Sequence, residues 1–121
     1  MTLHYDCKNT FAKILRKELL CKVVFEDEST LIFHDIKPCA PVHLVAIPKG
    51  KFISSLDFSC LAPADVIKQF WLNIRYVIEK NSKLKNGCRL ITNYGVNGGQ
   101  TVPHFHVHIL GGKSFSSLSV L

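Results

Sequence analysis

The chain has 121 residues, 47% hydrophobic and 20% charged, with a formal net charge of +6. These values suit one compact soluble domain spanning residues 1–121, with a core over about 11–112 and a tail over 113–121, and leave little room for a second domain. Apolar stretches such as residues 42–47 are far too short for the roughly 20 residues that span a bilayer. The basic N-terminal stretch lacks the apolar run and cleavage site of a targeting peptide and reads as part of the fold; the five cysteines, odd in number, point to reduced thiols in a cytoplasmic protein.

Along the chain, Phe11, Ile14, Leu15 and Leu19 fall at helical spacing, which predicts a short helix over residues 9–19 with Asn9 or Thr10 as its cap. Residues 23–25 and 31–33 read as a hairpin around a polar turn. Pro38 and Pro41 bracket a loop, and residues 42–47 form a third, largely buried strand that Pro48 ends. Val66, Phe70, Ile74, Val77 and Ile78 recur at helical spacing and predict a long helix over residues 63–82. Residues 89–92 read as a fourth strand, residues 93–100 as a glycine-rich loop, and residues 104–110 as a fifth strand ended by Gly111 and Gly112. Five strands, one long and one short helix, and hairpin-length connections imply an antiparallel α+β domain.

The chemistry concentrates in the fifth strand, His104-Phe105-His106-Val107-His108-Ile109-Leu110. Side chains alternate faces along a strand, so the three imidazoles share one face while Phe105, Val107 and Ile109 face the core. Neighbouring positive charges disfavour protonation, and a neutral imidazole serves as a nucleophile or a metal ligand. A single ion shared by all three is geometrically poor, because the outer two are rooted about 13 Å apart. A metal site needs two of them plus another ligand, for which His43 is a candidate, and no neighbouring carboxylate or thiolate is evident. Nucleophilic attack on phosphorus accounts for more. Gly98, Gly99, Gln100 and Thr101 lie just upstream, where glycines let backbone N–H groups converge on an anion.

The five cysteines, Cys7, Cys21, Cys39, Cys60 and Cys88, are odd in number and irregularly spaced. They read as reduced, mostly buried thiols rather than a disulfide framework or a zinc site. The lysines read mainly as solvated faces, with no interleaving of basic and aromatic residues that would make a nucleic-acid track.

The run from Gly99 through His104, His106 and His108 to Leu110 resembles the signature of the histidine triad, or HIT, nucleotide-binding proteins. Phe33-His34-Asp35-Ile36 and Ala40-Pro41-Val42-His43-Leu44-Val45-Ala46-Ile47-Pro48-Lys49 are similar to the central segment of the family's Hint branch, and Thr10 to Glu18 to its first helix. The resemblance covers about residues 11–112. It implies a purine nucleoside phosphoramidase in which His106 attacks the α-phosphorus and forms a nucleotidyl-histidine intermediate. His104 and His108 then flank it, orienting the nucleophile and stabilising phosphate charge, and His43 supports the row. Asn93, Gly99, Gln100 and Thr101 match the phosphate loop, and Asp35 the carboxylate on the ribose hydroxyls. Phe11, Ile14, Phe33, His34 and Ile36 match the base pocket. Cys7 lacks the partner of the Cys-x-x-Cys zinc pair of many bacterial relatives, so no metal or other cofactor is expected. The resemblance also implies a homodimer built through the long helix and the strand near residue 90. A dinucleoside polyphosphate hydrolase and a nucleotide-sensing scaffold are the competing readings. The final histidine, His108, argues against the family's transferase branch, which typically has glutamine there.

Overall fold

Alternation along the central strands decides the architecture. A computed structural model describes residues 4–115; of the expected tail, residues 116–121 lie outside them. The elements run α1 (Thr10–Leu15), β1 (Val23–Glu26), β2 (Thr30–His34), β3 (Val42–Pro48), α2 (Ser55–Leu61), α3 (Ala64–Lys80), β4 (Arg89–Ile91) and β5 (Val107–Gly111). The strands form one antiparallel sheet in the order β1-β2-β3-β5-β4.

Odd and even residues of the inner strands serve two different layers. Ile32 of β2 and Val42, Leu44 and Ala46 of β3 join Val107 and Ile109 of β5. They pack against Phe58 of α2 and Phe70, Ile74 and Val77 of α3. Leu31, Phe33, Val45 and Ile47 point the other way and pack against Phe11 of α1. Every residue of β3 is therefore buried, as expected of a strand covered on both faces.

The β1–β2 turn is closed by Asp27, whose Oδ1 accepts from the backbone N–H groups of Ser29 (2.9 Å) and Thr30 (2.8 Å). Its Oδ2 accepts from Asn73 of α3 at 2.8 Å. Burial opposes ionisation of this carboxyl, but the hydrogen bonds from Ser29, Asn73 and Thr30 outweigh it and hold its pKa below the usual value.

The structure differs from the sequence expectation in four places. A second short helix, α2, precedes the long one, so the helices are two short and one long. It starts at a capping box in which Ser54 and Asp57 satisfy each other's backbone N–H groups. Helix α1 ends at Leu15 rather than Leu19, because Lys17 takes a left-handed φ of 64°. Strand β5 begins at Val107, not His104. Pro103 has no N–H, Phe105 N donates to Phe52 O (2.7 Å), and the His104 carbonyl is taken by a side chain, so residues 104–106 cannot join the ladder. The cysteines are free as expected but not mostly buried: Cys7, Cys39 and Cys60 are exposed and Cys21 and Cys88 half-buried.

Candidate active site

The imidazoles of His104, His106 and His108 lie on the α1 face of the sheet, while Phe105, Val107 and Ile109 enter the α3 core. The row is far less exposed than a surface strand would make it. His104 is fully buried and His106 is 4% exposed. Desolvation pushes the pKa of His104 down to about 4 and also lowers that of His106. Desolvation, with the neighbouring His106 and His43, takes His108 down to about 4.

Fixed partners determine where each proton sits. A carbonyl only accepts, so the His104 Nε2, 2.8 Å from Pro48 O, carries hydrogen. Its Nδ1 then holds a lone pair, which accepts from the Tyr5 hydroxyl at 2.5 Å. The His106 Nδ1 lies 2.7 Å from the His104 carbonyl and is likewise protonated. Its Nε2 therefore bears a lone pair. No buried side-chain nitrogen or oxygen among the described residues lacks a partner, so this nitrogen, which has none there, must reach solvent. On the other side, the Cys39 backbone N–H donates to His43 Nδ1 at 3.1 Å. His43 Nε2–H then donates to His108 Nδ1 at 2.9 Å, with Asp35 Oδ2 3.3 Å away as a second acceptor. This leaves His108 Nε2 protonated. The site thus presents a lone pair on His106 beside an N–H on His108, with the rings 5.0 Å apart. Such a pair is chemically able to attack an electrophile and to meet developing negative charge.

Asp35, half-buried, sits at the seam between this row and an apolar cavity of about 210 Å³. Phe11, Ile14, Phe33 and Ile36, four of the residues that the resemblance assigns to a base pocket, line that cavity together with Leu20, Cys21 and Val45. His34 does not line it; it faces an adjoining cavity of about 800 Å³ with Lys22 and Asp35.

The glycine-rich loop is held largely by its own bonds. Gly99 has φ +78°, and a Cβ at Gly98 would collide with the Tyr94 carbonyl, so both positions call for glycine. The N–H groups of Gly99 and Gln100 donate to Val96 O (3.1 Å) and Gly95 O (3.0 Å). The Gln100 side chain donates to Ile53 O (2.6 Å) and Val102 O (3.1 Å) and accepts from Gly95 N (3.1 Å). Gln100 thus works as a brace of the loop. Thr101 is exposed and Asn93 half-buried. Thr92, next to Asn93, donates its hydroxyl to the His106 carbonyl at 2.8 Å.

Asp35, His43 and His108 also place one ligand atom each within 4.8 Å of one another. The carboxylate that sequence reading found missing beside the histidines is therefore Asp35. A transition-metal ion there would have to displace the hydrogen bonds that already join the three groups.

The HIT domain family matches residues 16–115 of the chain. The chain belongs to the HIT family. A HIT-like protein of Rickettsia prowazekii (strain Madrid E) is 45% identical over 114 residues, covering 94% of this chain and 95% of the relative. Among solved structures, a HIT family hydrolase from Clostridium thermocellum superposes with a TM-score of 0.83 at 35% identity. That match covers 98% of this chain and 99% of the other. A HIT family hydrolase from Legionella pneumophila Philadelphia 1 gives 0.80 at 34% identity, covering 88% and 95%. The five-stranded antiparallel α+β sheet is thus that of HIT-family hydrolases. Among the described residues, no helix is long and apolar enough to cross a membrane.

The geometry changes the expected part of one HIT histidine. Both ring nitrogens of His104 are committed to Tyr5 and Pro48, so it orients His106 through its carbonyl, and its ring has neither lone pair nor proton for a phosphate. Sequence reading also missed Tyr5, Cys39, Pro48 and Thr92, which fix the tautomers or the backbone of the row. Tyr5, Pro48 and Thr92 come from segments distant from their partners, and Cys39, four residues before His43, acts through its backbone N–H, so no local side-chain pattern announces any of them.

Proposed function

We propose that this HIT protein is a hydrolase of purine nucleoside 5′-phosphoramidates, of the Hint branch, acting through His106. The observation that carries this reading is the solvent-reachable lone pair on His106 Nε2, held by Nδ1–H···O=C of His104. The apolar cavity of Phe11, Ile14 and Phe33 takes the base, and Asp35 at its seam accepts from the ribose hydroxyls. In the first step a bond forms from His106 Nε2 to the α-phosphorus while the phosphorus–nitrogen bond breaks. The amine departs with a proton drawn from solvent, and His108 Nε2–H stabilises the phosphoryl oxygens. In the second step water adds its oxygen to phosphorus, the His106–phosphorus bond breaks, and one proton returns to solvent. Asn93, Gly99, Gln100 and Thr101 shape the phosphate side of the site.

We also propose that two copies pair. The outer face of α3 exposes Trp71, Leu72 and Tyr76, and the edge strand β4 exposes Leu90. Large exposed apolar side chains and an open sheet edge of this kind are often covered in an assembly.

Replacing His106 with Asn preserves shape and removes the nucleophile. Turnover of adenosine 5′-phosphoramidate should fall by at least about 10³-fold while AMP affinity, measured by calorimetry, stays within a few-fold. Turnover at the wild-type rate would sink the mechanism. Rates on guanosine phosphoramidates and diadenosine polyphosphates then rank the substrate classes.

A further inference from the structure

We propose that Tyr5, which precedes α1, is a positioning residue for the His106 nucleophile, acting through His104; this deepens the function proposed above and rests on it. The chain of contacts is short. The Tyr5 hydroxyl donates to His104 Nδ1 at 2.5 Å, with the rings in an edge contact at 5.6 Å. His104 Nε2–H donates to Pro48 O, and the His104 carbonyl accepts from His106 Nδ1. A ring gripped at both nitrogens cannot rotate or exchange tautomers, so the residue that supplies the orienting carbonyl is held still. Phe11 closes the cluster, with its ring 6.2 Å from His104 and 4.9 Å from His106.

Chemistry favours a tyrosine at this place. His104 is fully buried, and a lone pair there without a donor is costly. A phenol donates to that lone pair while its ring packs on apolar neighbours. Burial pushes the phenol pKa up, so the group keeps its proton throughout the working range. Tyr5 is itself tied to the fold through its own segment, in which Asn9, the cap of α1, donates its side-chain N–H to Asp6 O at 2.7 Å. Arg16 donates to Cys7 O at 2.7 Å. The segment before α1 thus becomes part of the active site.

The test compares Tyr5→Phe and Tyr5→Leu in the full chain. Tyr5→Phe keeps the ring and loses the hydroxyl; Tyr5→Leu loses both. Both should lower kcat for adenosine 5′-phosphoramidate by about tenfold, with KM within about twofold, as expected when a nucleophile is loosened while substrate binding stays intact. Ring-nitrogen NMR shifts should show His106 as the Nδ1–H tautomer in the wild type and as a mixture in both variants. A Phe variant with wild-type kcat and an unmixed His106 tautomer overturns the proposal. So does a loss confined to Tyr5→Leu, which would make the role one of packing. If the wild type turns over no nucleotide at all, the functional reading alone fails, and the ring-nitrogen shifts still decide the part played by Tyr5.

Discussion

Burial of the imidazoles sets the pH range in which the site can work. The proposed reaction needs His106 Nε2 unprotonated and His108 with a single proton. Desolvation lowers His106 below the ordinary 6.5, and His108 falls to about 4 under desolvation and its histidine neighbours. Protonation, and with it loss of the lone pair, is therefore displaced to acid pH. The profile of kcat/KM should be flat through neutrality, with its acid limb below 6.5 rather than centred on it. A limb at or above 6.5 would contradict the burial argument. The period of two in His104-x-His106-x-His108 made the shared face legible in the sequence. The depth of burial was not, because it depends on Phe11, Tyr5 and Pro48 arriving from elsewhere. Asp35 and His43 were legible as site residues through the resemblance, whereas their hydrogen-bonded link to His108 is a product of the β3–β5 pairing, in which Val45 lies opposite His108.

The helices carry the sheet's stability, and one polar residue ties the two together. Asn73, 3% exposed in the middle of α3, donates to Asp27 Oδ2 (2.8 Å) and Thr30 Oγ1 (3.0 Å) and accepts from Gln69 (2.8 Å). Asn73→Ala leaves the fully buried Thr30 hydroxyl with only a long contact to Ser29 Oγ (3.4 Å), and should cost about 1–3 kcal/mol in urea unfolding. The Asp27 carboxyl has a depressed pKa in the folded state, so its contribution is present above the unfolded value of about 3.9 and is lost as pH falls through the folded value. The Ala variant removes one of the bonds that depress it and should narrow that acid-sensitive window. The 3.6-residue pattern of α3 and the β-branched run of β3 were readable because burial imposes them on many residues at once. Helix α2 escaped because seven residues give too few turns for a period to show; the Ser54-x-x-Asp57 capping box was the signal available. The start of β5 escaped because alternation reports which face a side chain takes, and residues 104–106 keep the alternation without the ladder.

Across the whole molecule, the site faces α1 and the apolar surface of Trp71, Leu72 and Tyr76 faces away from it on α3, on opposite sides of the sheet. Substitution at one should leave the other intact. Trp71→Glu, which puts a charge in the proposed pairing surface, should weaken self-association by at least about 2 kcal/mol. It should shift the protein to monomer in sedimentation while AMP affinity stays within a few-fold. An unchanged sedimentation profile would remove α3 from the interface. The chain holds a single tryptophan, and it is this one, 43% exposed and edge-on to Phe70 at 5.5 Å. Its indole emission is therefore an unlabelled gauge of the proposed pairing. It should move to shorter wavelength as concentration rises and the ring leaves water, and it should ignore nucleotide, for which the proposed cavity lies on the other side of the sheet.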